Sequence, residues 1–161
     1  MLLVARGLYR SGGMDTSKAI STLNDLIETC RDSEMGFRTA AGAVRDRHVN
    51  TLFERFARQR AEMMRELQDE VRKLGGNPED SGSVSASLHR GWINIKSLVT
   101  GSDDSAIVAE AERGEDIAKA AYEKALKEAL PAAARTLIEQ QAAIVRTAHD
   151  EVRKLEKAGA R

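Results

Sequence analysis

The amino-acid sequence predicts an all-α protein built as a bundle of four long helices, and three observations predict it. The 161-residue chain is rich in Ala, Leu, Glu, Lys and Arg, with aromatics at only 4%, a helix-forming composition. Apolar residues recur at three- and four-residue spacings through four separate segments, the pattern of amphipathic helices. Only two prolines, Pro78 and Pro131, interrupt the chain, and both fall at segment ends. With 42% hydrophobic and 31% charged residues, the chain can bury a core and is too apolar for disorder. Its length suits one domain.

Each element follows from its own stripe. Asp15-Thr16-Ser17 offers cap residues, and Ile20, Leu23, Ile27, Cys30, Phe37, Ala41 and Val44 mark a first helix over about 16–48. The gap between Cys30 and Phe37 holds one missing stripe position, which Glu34 fills. The segment before it, Met1 to Gly13, has an apolar run too short for a signal peptide and no helical period. The expectation is a non-native or disordered extension over 1–13, a true start at Met14, a bundle over 14–157 and a frayed tail over 158–161.

Asn50 is the expected cap of a second helix over about 50–74, with Leu52, Phe53, Phe56, Met63, Leu67, Val71 and Leu74 inside. Gly75-Gly76-Asn77-Pro78 stops it. In the long connection that follows, Leu88, Trp92, Ile95 and Leu98 predict a short helix over 84–99, with Trp92 anchoring it on the bundle. Asp103 and Asp104 open a third long helix over about 104–129, whose stripe of Ile107, Ala111, Ala118, Tyr122, Ala125 and Ala129 is completed by Glu115. Pro131 suits the first turn of a fourth, over 131–157, with Ile138, Ala142, Val145, His149 and Val152 inside. The scarcity of loop residues makes helices 1 and 2, and helices 3 and 4, antiparallel neighbours. The connection over 75–102 is long enough to run the length of the bundle. One long crossover is the ferritin-like arrangement.

The chemical clue lies inside. Glu34, Glu62, Glu115 and His149 sit on or beside the inner stripes, near the middle of helices 1, 2 and 3 and in the second half of helix 4. Buried carboxylates and imidazoles are paired, hydrogen-bonded or metal-bound. Something positive must therefore balance them: a metal, protons or a basic side chain.

At these residues the sequence resembles known proteins. Ala109-Glu110-Ala111-Glu112-Arg113-Gly114-Glu115, followed by Tyr122, resembles the third helix of rubrerythrin-like proteins, and His149-Asp150-Glu151-Val152-Arg153-Lys154-Leu155 the end of their fourth. Ser87-Leu88-His89-Arg90-Gly91-Trp92, taken with Ala111-Glu112-Arg113-Gly114-Glu115, more closely resembles a bacterial family of ferritin-like four-helix bundles of unknown function. The resemblance implies a ferritin-like fold and supplies no activity. Di-iron bundles use single glutamates on two helices and Glu-x-x-His on the other two. Glu34 and Glu115 match the single positions. Gln59-x-x-Glu62 and Arg146-x-x-His149 stand where Glu-x-x-His belongs, and they break the motif.

Two readings follow. In the first, the inner charges compensate one another, with Arg146 and His149 facing the three glutamates. The protein is then non-catalytic and acts through its surface, as a stress-associated or assembly protein. In the second, Glu34, Glu62, Glu115 and His149 hold iron, manganese or zinc, and the protein is a metal-binding protein or a metal-dependent oxidase or peroxide scavenger. No catalytic residue is identified, because no phosphate-cradling loop, cysteine pair or Ser/His/Asp spacing occurs. The 25 basic residues equal the 25 acidic ones, which argues against nucleic acid as a partner. No stretch reaches a membrane span. The lone Cys30 fits a reducing cytoplasm. A homo-dimer or higher homo-oligomer is the expected assembly, and no protein partner can be named.

Overall fold

A computed structural model of the chain describes residues 11–78, 92, 95–98 and 103–159. It contains α1 (Ser11–Ala43), α2 (Arg47–Lys73), a short α3 (Ile95–Leu98), α4 (Asp104–Ala125) and α5 (Ala132–Gly159), with no strand among the described residues. α1 packs along α2 and α4 along α5; α1 also lies against α4, and α2 meets α5. Among the described residues no helix is long and apolar enough to cross a membrane. Most of the expected crossover helix over 84–99 lies outside the described residues. Its Trp92 and Ile95 are both buried.

Two acidic residues build the corner between the hairpins. Asp46, in extended backbone, caps α2 by accepting hydrogen bonds from the His48 and Val49 amides at 2.8 and 3.0 Å. α1 therefore ends at Ala43 rather than near 48, and α2 starts at Arg47 rather than at Asn50. Asn50 instead turns its side-chain amide back onto the Ala41 carbonyl. Asp104, in the first turn of α4, accepts from the Arg45 and Asp46 amides, both at 2.8 Å. This pins the start of α4 on the α1–α2 corner, so α4 runs antiparallel to α1. Asp104→Ala is expected to cost about 1–2 kcal/mol, checked by urea denaturation.

The other ends obey familiar stop rules. α2 closes in a Schellman motif, with Gly75 N–H on Arg72 O at 3.0 Å and Gly76 N–H on Val71 O at 2.9 Å. Gly75 takes φ 83°, the left-handed value that glycine tolerates. α4 ends at Ala125 rather than 129, because Lys127 and Glu128 bond three residues back and tighten the turn. The Arg135 guanidinium then donates to the carbonyls of Leu126 and Glu128, closing the α4–α5 corner. Pro131 sits just before α5 rather than in its first turn, its carbonyl accepting from Arg135 N–H at 2.9 Å. Ser11–Gly13, assigned by the sequence to the extension, form the start of α1. Ala158 and Gly159 of the expected frayed tail are helical.

The core is split in two along the bundle axis. One cluster gathers Phe37, Phe53, Phe56, Trp92, Ile107 and Val152 near the α1–α2 corner. The other gathers Leu23, Ile27, Met63, Leu67, Tyr122, Ile138 and Val145. On α1 the division falls between Cys30 and Phe37, on α2 between Ala57 and Met63, and on α4 between Ala111 and Ala118. The layer between the two clusters is polar.

Candidate functional site

The dividing layer holds Arg60 of α2 and Glu115 of α4, 1% and 0% exposed. The pair is bidentate: Arg60 Nη1 donates to Glu115 Oε1 at 2.9 Å and Nη2 to Oε2 at 2.7 Å. This fork-on-fork geometry is what a planar guanidinium offers and an ammonium does not. The guanidinium also lies 5.7 Å from the centre of the Phe37 ring, a cation–π distance. Burial works against the arginine charge, but the carboxylate and its two hydrogen bonds outweigh burial and push the Arg60 pKa up. Arg60 Nε has no partner, so the compensation is incomplete.

Farther from the α1–α2 corner, a second polar layer ties all four long helices together. Tyr122 of α4 donates its hydroxyl hydrogen to Gln141 Oε1 of α5 at 2.7 Å. Gln141 Nε2 donates to the Met63 carbonyl of α2 at 3.1 Å and to Glu66 Oε1 at 3.3 Å. Cys30 of α1 lies 3.2 Å from Tyr122 Oη. A hydroxyl has one hydrogen, and that of Tyr122 is spent on Gln141, so the thiol is the donor to the tyrosine. Burial pushes the Cys30 pKa up to about 11, consistent with a protonated thiol. Tyr122 and Cys30 are thus core residues, as the sequence reading holds.

The sequence-predicted residues do not converge. Glu34 is half-buried and pairs with Arg38 at 2.7 Å, one turn along α1. Glu62 is exposed, and so is Arg146, which therefore balances nothing inside. Gln59 is half-buried, with its Oε1 unpartnered. Only Glu115 occupies the bundle centre, where Arg60, not among the expected residues, compensates it. The centre consequently does not fit a pair of metal ions: a cation already fills it, and its one carboxylate has both oxygens engaged. Arg60 sat in a seven-residue gap between Phe56 and Met63, the same signal that marked Glu34 and Glu115.

His149 is buried but faces outward between α4 and α5. Its Nε2 lies 2.5 Å from Asp116 Oδ1 and its Nδ1 3.5 Å from Asp150 Oδ1. Glu112, one turn before Asp116 on α4, joins them, so that ligand atoms of Glu112, Asp116 and His149 all lie within 4.8 Å of one another. It is the one such group among the described residues.

On the α1–α4 side, Asp32 borders a void of about 30 Å³ lined also by Ser33, Trp92, Gly114 and Ile117. Burial first, and Glu28 second, raise its pKa from 3.8 to about 7, against the pull of Arg31. The folded state thus holds a proton that the unfolded state has lost. That stabilisation is full below about pH 3.8 and fades as pH rises through about 7. Asp32→Asn is expected to flatten the fall of melting temperature between pH 5 and pH 8, measured by calorimetry across that range.

Paired antiparallel helices joined by one long crossover define a ferritin-like four-helix bundle, and solved structures carry the likeness. A two-domain protein from Anabaena variabilis, containing DJ-1/ThiJ/PfpI-like and ferritin-like domains, superposes with a TM-score of 0.72 at 13% identity, over 90% of this chain and 37% of that one. This chain thus spans little more than a third of that protein's length. A conserved hypothetical protein from Mycobacterium tuberculosis superposes with a TM-score of 0.69 at 13% identity, over 86% of this chain and 97% of that one. The chain belongs to the family described as a domain of unknown function, DUF2383, whose model matches residues 18–128. No curated protein matches it in sequence.

Proposed function

We propose that this protein is a non-catalytic ferritin-like bundle that acts through its outer surface, with an internal ion pair in the place of metal chemistry. The observation that supports the reading is the bidentate Arg60–Glu115 pair in the layer between the two cores. A bundle oxidase needs carboxylates free to bind metal and space to bind it in. Here each carboxylate oxygen of Glu115 accepts from Arg60, and the guanidinium occupies the space beside it. We place the protein in the cytoplasm, where the buried thiol of Cys30 stays reduced. A stress-associated role rests on analogy with other ferritin-like proteins.

The test is aerobic oxidation of ferrous iron by the untagged protein. Oxygen uptake is expected to match that of protein-free buffer. Catalysed uptake that disappears in Glu115→Gln would overturn the reading. The assembly we propose is a homo-oligomer: the formal net charge of zero sets up no overall repulsion between copies. Sedimentation equilibrium reads this directly, and a monomer at all concentrations would refute it.

A further inference from the structure

We propose that Glu112, Asp116 and His149 form a peripheral site for a divalent transition-metal cation of the zinc class, separate from the bundle centre. Glu112 and Asp116 stand four residues apart on α4, so helical geometry puts both carboxylates on one face. α5 brings His149 to that face, and the three ligand atoms gather within 4.8 Å of one another. A tetrahedral zinc, with bonds of about 2.0–2.2 Å, holds its ligand atoms about 3.3–3.6 Å apart. The group is therefore close to ligating geometry, and Asp116, whose side chain is 60% exposed, is free to make the adjustment.

The surroundings of His149 point to a cation. The ring is buried, with a side-chain exposure of 5%, and it faces carboxylate oxygens from both nitrogens: Asp116 at Nε2 and Asp150 at Nδ1. A neutral imidazole has one N–H, so it can serve only one of them. At the other, a lone pair meets an anion at hydrogen-bond distance. A metal on Nε2, with the N–H kept at Nδ1, relieves this. In the metal-bound arrangement Asp150 becomes the outer carboxylate that fixes the ring's tautomer, a device common at histidine–zinc sites. Glu112 then serves as a second anionic ligand, and the exposed side of Asp116 leaves the remaining position to water. Imidazole with carboxylates suits zinc better than magnesium or calcium.

This inference goes beyond the surface-acting reading and does not depend on it, since its three ligands include neither Arg60 nor Glu115. The experiment is equilibrium dialysis of the full, untagged chain against Zn²⁺, followed by elemental analysis, with cobalt substitution read by visible absorption. A single saturable equivalent per chain is expected. Asp116→Asn and Glu112→Gln are expected to weaken it by more than about tenfold, since even an outer partner of a ligand is worth about 10–100-fold. Both positions lie outside the hydrophobic core, so the variants fold; His149→Ala is the confirming loss. Glu34→Gln and Glu62→Gln should bind as the parent does. Absence of saturable zinc binding, several weak equivalents, or binding unchanged in Asp116→Asn would overturn the site. None of these results bears on ferrous oxidation, so the two readings fail independently.

Discussion

Glu115→Ala is expected to destabilise the fold by about 3–5 kcal/mol, the cost of leaving a buried charge without its partner. Arg60, itself only 1% exposed, would keep the face of Phe37, 5.7 Å away, and lose its carboxylate partner. Arg60→Ala strands Glu115 and should cost as much. Joint replacement, Arg60→Met with Glu115→Leu, removes both desolvation penalties and is expected to return stability to within about 1 kcal/mol of the parent, or to exceed it by about 1–4 kcal/mol. The unpartnered Nε of Arg60 favours the upper part of that range, because the native pair leaves one buried donor unmet. Urea denaturation of the parent, Arg60→Met, Glu115→Leu and the joint variant closes the double-mutant cycle. Additive losses would show that the two side chains do not act as a pair.

A comparable loss is expected from a single methyl group at Gly114 or Gly36. A Cβ at Gly36 would stand 2.1 Å from Trp92 Cδ2, and one at Gly114 2.5 Å from Trp92 Cε2. Both glycines lie mid-helix, where alanine is otherwise preferred by about 1 kcal/mol. Here the glycines flatten α1 and α4 on either side of the indole, and a rigid ring cannot swing aside. Gly114→Ala must expel Trp92 or spread the helices, at a cost of about 2–4 kcal/mol once helix propensity is offset against lost aromatic burial. The sign should reverse in a Trp92→Ala background, where the added methyl enters vacated space and stabilises by up to about 1 kcal/mol. Denaturant midpoints of the two series decide it, and an unchanged sign would exclude the wedge.

The fold was legible because its determinants are local. Stripes at helical spacing, Gly75-Gly76 and Pro131 mark where each element lies, and the long connection between the hairpins implies the crossover. The sequence offers Asn50 as the cap where Asp46 serves, because capping depends on backbone angles that the residue order does not display. The site was less legible, for an angular reason. Successive helical residues are turned by about 100°, so a carboxylate next to a buried position can point to water. Glu62 follows this rule beside Met63, and Glu34 beside Ser33. Arg60 was missed because an arginine within a charged run looks like surface, although it fills the α2 gap that a stripe demands. Its partner is 55 residues away on a diagonal helix, a pairing that no spacing within either helix reveals. The two mid-helix glycines were the other neglected signal, since a glycine kept where alanine would serve better implies something packed against it.

The wedge also gives the protein an optical channel of its own. Trp92 is the one tryptophan in the chain; it is 6% exposed and stands edge-on to Phe37 at 5.0 Å. Its emission therefore reports the seating of the connecting segment, while circular dichroism reports the helices as a body. A bundle that melts as one unit superimposes the two curves. A red shift that precedes the loss of helix would show the crossover lifting away first, opening the α1–α4 face while the remainder of the bundle stays folded.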